Sequence, residues 1–258
     1  MLKVFRLLLI MTILSATVSC HKSNTTITNF NAITKERIFP THSFVQILKR
    51  LHIYECLDKS KCKDGKFTSA GSGISIGNTG DGTLVVTASH VCNTELSPPV
   101  KKALGKHEVY LEVKTIHGAI LRAETIHLSD LSETHLDLCL LHIKDLFLPG
   151  VNISKVPPQV GDQLFSISAP LGIFEPPTVP LFSGFYSGPV SDGVNAMITI
   201  PAAGGSSGSA VLNRKMELVG IIFATKVGFN QVTLTAKFDS LVKFLNKGIN
   251  KFLLESKN

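Results

Sequence analysis

Apolar residues change their period along this chain, and the changes divide it into segments. Residues 7–14 form a short apolar run, with Lys3 and Arg6 before it and small or polar residues from Ser15 to Cys20 after it. Residues 21–40 are polar, rich in Thr and Asn, and weakly patterned, which reads as a tether or extended arm. Within 43–51, Phe44, Ile47, Leu48 and Leu51 recur at helical spacing and predict a short helix ahead of the core. From Lys66 onward the pattern becomes strand-length runs separated by turn residues. Strands are predicted at 68–76, 83–87, 108–116, 119–128 and 136–143, with a hairpin at the N-T-G-D-G that begins at Asn78.

Residues 149–158 read as a linker, and a second set of strands follows at 163–168, 179–188, 196–200, 209–212, 218–225 and 231–236. In the last segment, 238–254, the apolar residues Leu241, Val242, Phe244, Leu245, Ile249, Phe252 and Leu253 predict an amphipathic helix. Lys243, Lys247 and Lys251 recur four apart on its solvated face. Many short strands at this spacing predict an all-β fold of two antiparallel barrels with a C-terminal amphipathic helix. The boundaries implied are a signal segment at 1–20, a polar arm and short helix at 21–65, a first barrel at 66–150, and a second barrel with the helix at 151–258.

Composition agrees with a globular chain. It has 258 residues, 44% hydrophobic and 17% charged, enough for one large domain or two small ones. The net charge of +7 is spread along the sequence and reads as ordinary surface charge, so nucleic acid is not an expected partner. The first twenty residues have the layout of a secretory signal, and the apolar run is too short for a confident membrane span. Thr17-Val18-Ser19-Cys20 also resembles a bacterial lipobox, departing from it at Thr17, where Leu is usual. Two outcomes stay open, plain cleavage near Ser19 or a lipidated Cys20 that tethers the chain to a membrane. Either implies export to the periplasm, the cell envelope or the exterior, where disulfides persist. Of five cysteines, Cys56 and Cys62 flank the charged loop L-D-K-S-K and suit a local bridge. Cys92 and Cys139 read as buried free thiols, with a second bridge as the alternative.

Three stretches carry candidate chemistry. In T-A-S-H-V-C, His90 follows a buried strand, and the small residues before it leave its ring room to turn toward a cleft. In H-L-D-L-C-L-L, Asp137 lies among apolar residues, where an ionised carboxylate is costly unless paired and hydrogen-bonded. In G-G-S-S-G-S-A, Ser207 stands among glycines that let successive N–H groups converge on one spot. Such a loop suits an exposed serine nucleophile with donors waiting for an oxyanion. Ser206 is the rival nucleophile. His127, His135 and His142 could suggest a metal site, but they follow no ligand motif, and neither a metal nor an organic cofactor is expected.

The order His, Asp, Ser is the order of the chymotrypsin-like peptidases. T-A-S-H-V-C resembles the trypsin-type T-A-A-H-C. Further pieces are G-S-G-I-S-I from Gly71, G-D-Q-L-F-S-I-S-A-P-L-G from Gly161 and E-L-V-G-I-I from Glu217. Over about 69–245 the chain resembles a trypsin-like serine peptidase, nearest in pattern to the protease domain of bacterial HtrA/Deg proteins. The resemblance implies two six-stranded barrels of the chymotrypsin type, with Ser207 as nucleophile, His90 as base and Asp137 as its orienting partner. It implies an oxyanion hole from the backbone of Gly205 and Ser207. It also implies a specificity pocket with Pro201, Ala202 and Ala203 at its base and Phe223, Ala224 and Thr225 as its wall. The expected activity is cleavage of protein or peptide substrates through an acyl-enzyme, after small or medium apolar residues. The alternative is an inactive homologue that holds peptides without cutting them. Ser206 stands where zymogen-type trypsins carry an Asp, so activation by N-terminal cleavage is not expected. With the amphipathic helix as the last segment, the PDZ module that many HtrA proteins append is not expected.

Overall fold

The structure is a computed structural model that describes residues 38–129, 134–226 and 228–255. The signal segment and most of the polar arm, including Cys20, lie outside the described residues. Twelve strands form two closed antiparallel barrels of six strands each, so the all-β expectation holds. The first barrel comprises β1 (Phe44–Ile53), β2 (Gly65–Asn78), β3 (Gly82–Thr87), β4 (His107–Thr115), β5 (Ile120–Leu128) and β6 (Cys139–Lys144). It closes by pairing β1 with both β2 and β4, while β3 and β5 flank β6. The second comprises β7 (Gln163–Ile167), β8 (Leu181–Pro189), β9 (Asn195–Ile198), β10 (Ala210–Leu212), β11 (Leu218–Lys226) and β12 (Phe229–Ala236). Two short helices, α1 (Ser89–Cys92) and α2 (Pro98–Ala103), decorate the first barrel, and α3 (Phe238–Glu255) follows the second.

The segment read as a short helix is β1. Phe44 through Leu48 are all buried, so the strand shows no polar alternation. Val45 and Ile47 enter the interior of the first barrel with Val85, Val113 and Leu141. Phe44 points the other way and meets Phe174 edge-on at 5.2 Å between ring centres. A short strand buried on both faces has no period of its own, and four apolar residues then imitate a helical turn. With β1 in place, the five strands predicted for the first barrel become the six that close it.

Three apolar clusters hold the two barrels and α3 together. One fills the first barrel and one the second, the latter built from Leu164, Ile198, Ile200, Val211 and Val219 among others. The third lies between the barrels, where Ile74, Val86 and Leu140 meet Phe165, Ile167 and Leu212. Helix α3 seals it with Leu241, Phe244 and Leu245, while Lys243, Lys247 and Lys251 stay exposed as expected. Burial and the neighbouring Lys247 and Lys251 hold the His127 imidazole below its ordinary pKa, and its ring stacks on Phe244 at 4.7 Å. Among the described residues no helix is long and apolar enough to cross a membrane.

Two disulfides form. Cys56–Cys62 closes the local loop, as expected. Cys92 and Cys139, read as free thiols, are bonded to each other instead. The reason is topological. Cys139 opens β6 opposite Thr87 at the end of β3, and α1 follows that strand almost at once, so Cys92 comes to lie over Cys139.

Replacing Cys92 and Cys139 together by Ser should lower stability by about 4 kcal/mol on chain-entropy grounds, for a bridge spanning 47 residues. Urea denaturation of the wild type and of this double variant, without reductant, reads this directly; equal stability of the two forms would mean that the bond does not brace the fold. In the same assay Leu245→Ala should cost about 2–5 kcal/mol through its cavity. Lys247→Ala, on the exposed face, should stay within about 0.5 kcal/mol.

Candidate active site

His90 stands on α1, immediately after β3, and Asp137 lies just ahead of β6, the partner of β3. Strand pairing therefore brings together two residues that are 47 apart in sequence. His90 Nδ1 is 2.6 Å from Asp137 Oδ2, and the His90 backbone amide donates to Asp137 Oδ1 at 3.0 Å. Only 3% of Asp137 is exposed, so both carboxylate oxygens are used in a setting where an unpaired one would be costly. An ionised carboxylate only accepts, so this contact suits a neutral imidazole that donates from Nδ1 and offers Nε2 as an acceptor. The imidazole is about half exposed.

The described residues next to Asp137 are themselves tied down. Ser129 Oγ accepts from the Leu138 amide at 2.8 Å and lies 2.6 Å from the Leu136 carbonyl. Asn195 Nδ2, from the second barrel, donates to the His135 carbonyl at 2.8 Å. On the other side Lys49 Nζ donates to the carbonyls of His90 and Asn93 at 2.9 and 3.0 Å, tying down the end of α1. Burial holds the Lys49 ammonium below the ordinary lysine pKa. Sequence reasoning missed Ser129, Asn195 and Lys49. Of these only Lys49 left a trace, as a charged residue inside an apolar run.

Ser207 lies on the second barrel, in the loop entering β10. The residue is partly exposed, and its hydroxyl donates to the Phe223 carbonyl at 3.4 Å. Ser206, the rival, is 1% exposed, and its Oγ accepts from the Ala203 amide at 3.2 Å. Glycine is required on both sides of this serine pair. Gly205 has φ +94°, and a Cβ there would lie 2.5 Å from the Ala169 carbonyl oxygen. Gly208 has φ +89°, and a Cβ there would overlap the Ser72 carbonyl and the Thr87 hydroxyl.

The loop also orients two backbone donors. Gly204 O accepts from the Leu171 amide at 2.5 Å, and Ser206 O accepts from the Ser209 amide at 3.0 Å. In a trans peptide the N–H points opposite to the carbonyl. The Gly205 and Ser207 amides are thereby turned away from these anchors, and among the described residues neither donates to another group. Ser72 and Gly71 of β2 connect this loop to the first barrel. The Ser72 amide donates to the Ser207 carbonyl at 2.8 Å. Gly71 lies beside both that carbonyl and Val91, the residue after His90. The loop of Ser207 is thereby held against the first barrel beside the residue that follows His90.

The proposed pocket residues lie nearby in mixed environments. Ala202 is buried and its amide donates to the Asn230 carbonyl at 3.0 Å, while Pro201 and Ala203 are partly exposed. The Phe223 ring packs on the core of the first barrel and presents its carbonyl to Ser207. Ala224 and Thr225 are half-buried, and Thr225 Oγ1 donates to the Val232 carbonyl at 3.1 Å. The three histidines considered for a metal are separately engaged. His127 stacks on Phe244, His142 lies 3.2 Å from Asp81, and the His135 carbonyl is held by Asn195. Among the described residues no group of three or more His, Cys, Asp or Glu side chains could hold a metal.

Comparison with known proteins agrees with this architecture. No curated protein matches the sequence. Among solved structures, the active form of the Rv3671c protease from M. tuberculosis superimposes with a TM-score of 0.56. That match has 15% identity and covers 81% of each chain. The inactive form of a Ser-to-Ala mutant of Rv3671c from M. tuberculosis H37Rv gives 0.54 and 15% identity, over 81% of this chain and 87% of that one. At such identity these likenesses show a shared fold. The family model of the trypsin-like peptidase domain matches residues 71–221, which takes in the segments holding His90, Asp137 and Ser207. That match spans more than half of the sequence, and the chain belongs to the trypsin-like peptidase domain family.

Proposed function

We propose that the chain is a serine endopeptidase that works through His90, Asp137 and Ser207. The observation that carries this reading is the 2.6 Å pairing of the buried Asp137 with His90, because it fixes the tautomer a general base needs. In the proposed reaction Ser207 Oγ attacks the peptide carbonyl as His90 Nε2 takes its proton. The developing oxyanion is met by the Gly205 and Ser207 amides. His90 then gives the proton to the leaving amine, and the acyl-enzyme is hydrolysed by water activated in the same way. Asp137 stays ionised and stabilises the imidazolium. The burial of Ser206 and its bond from Ala203 support Ser207 as the nucleophile.

Specificity follows from what the pocket lacks. No Asp or Glu occurs from Asn195 to Leu212 or from Leu218 to Ala236, the segments that would form it. A substrate cation would lose its water without gaining a partner. Pro201, Ala202 and Ala203 at the base, with Ala224, Thr225 and the Phe223 backbone along the wall, favour small or medium apolar side chains. The two disulfides support an exported protein, consistent with a signal at 1–20 and a tether through Cys20.

Ser207→Ala should fold normally and lose turnover by about a millionfold. Asp137→Asn should lose about 10⁴-fold by stabilising the wrong His90 tautomer. Activity retained in Ser207→Ala but lost in Ser206→Ala would move the nucleophile to Ser206. Activity retained in both would end the peptidase reading.

Cleavage of a peptide library should fall after Val, Ala, Ile or Leu. Preference among them should be loose, since one methylene is worth only about 10- to 200-fold. Cleavage mainly after Lys or Arg would contradict the pocket assignment.

A further inference from the structure

The residues that fix the nucleophile loop come from the opposite barrel. Gln46 on β1 and Ser72 on β2 are register partners, and both are buried. Ser72 Oγ donates to the Gly205 carbonyl at 2.9 Å and accepts from the Ala169 amide at 3.1 Å. Gln46 Nε2 donates to the Gly172 carbonyl at 3.2 Å. The turn from Ala169 to Gly172, held at both ends in this way, is the one whose Leu171 amide anchors the Gly204 carbonyl. The Ser72 amide meanwhile holds the Ser207 carbonyl, and the Ser72 carbonyl accepts from Thr87 Oγ1 at 2.8 Å, at the end of the strand leading to His90.

We propose that Ser72, with Gln46 beside it, is a positioning residue that aims the Gly205 oxyanion donor from across the interface, so that the hole is assembled only where the barrels are docked. This rests on the reading of Gly205 and Ser207 as oxyanion donors. The hydroxyl of Ser72 acts on Gly205 from two directions. It grips the Gly205 carbonyl directly, and through Ala169 it holds the turn that sets the Gly204–Gly205 peptide plane, hence the direction of the Gly205 N–H. Ser72→Ala would leave the Gly205 carbonyl and the Ala169 amide buried without that partner. The backbone bond from the Ser72 amide to the Ser207 carbonyl would remain, as would the Thr87 hydroxyl bond to the Ser72 carbonyl, so docking of the barrels would survive. The loss falls on a donor that matters when charge develops on the substrate oxygen, which places the effect in kcat and spares KM.

The test compares wild type with Ser72→Ala on the best peptide from library profiling, and on a peptide aldehyde that mimics the tetrahedral intermediate. Deleting one oxyanion donor outright costs about 10²–10³ in kcat, so misdirecting one should cost about 10- to 100-fold. KM should stay within about twofold, and aldehyde affinity should fall in step with kcat. Ser75→Ala is the control, because the Ser75 hydroxyl is equally buried in the same strand and bonds to nothing among the described residues. Its kcat should be unchanged. If Ser72→Ala does not fold, Gln46→Met carries the same test, with a smaller kcat loss at constant KM. Wild-type kcat in Ser72→Ala, a rise in KM alone, or loss of the fold in both variants would overturn the proposal and make the pair merely structural. Ser207→Ala separates this failure from that of the peptidase reading. An inactive Ser207→Ala beside a fully active Ser72→Ala removes only the positioning role, whereas an active Ser207→Ala removes both.

Discussion

The arrangement of the site depends on how closely the two barrels approach at Gly208. No side chain fits there, because the Ser72 carbonyl and the Thr87 hydroxyl of the first barrel occupy the space one would need. That contact lets the Ser72 amide bond to the Ser207 carbonyl and sets the loop of Ser207 against the strand end that leads to His90. A larger residue at 208 would push the barrels apart and, on the proposed mechanism, separate Ser207 from His90 and Asp137. The small residues of the loop therefore answer two demands at once, the backbone turns within it and the interface beneath it.

In the proposed mechanism each barrel supplies one half of the chemistry. The first pairs His90 with the buried Asp137, because pairing of β3 with β6 brings α1 over that carboxylate and the Cys92–Cys139 bond closes the same corner. The second offers the loop proposed to receive the oxyanion, because the carbonyls of Gly204 and Ser206 are tied back and their following amides are turned away from those anchors. On that proposal neither half is a site alone. The apolar cluster between the barrels, sealed by Leu241, Phe244 and Leu245 of α3, maintains their alignment.

Much of this was legible in the residues because the constraints are local. A loop that must turn tightly and admit a neighbouring backbone is written in glycine, and a carboxylate among leucines advertises a missing partner. The approximate places of eleven strands and the amphipathic helix followed from period and turn residues. What escaped was set by contacts distant in sequence. Phe44 to Leu51 imitated a helix because its two faces are buried by different neighbours, one inside the barrel and one at Phe174. The Cys92–Cys139 bond depends on the register of β3 with β6, which no local signal encodes. Ser72 passed as one small residue in G-S-G-I-S-I, and its role exists only where the second barrel meets it.

The central claim is that Ser207 is an activated nucleophile. Reaction with a fluorophosphonate, followed by peptide mapping by mass spectrometry, tests it most directly. The account predicts one adduct per chain, on Ser207, formed far more slowly after His90→Ala. An adduct on Ser206, or no adduct on a folded chain, would contradict it.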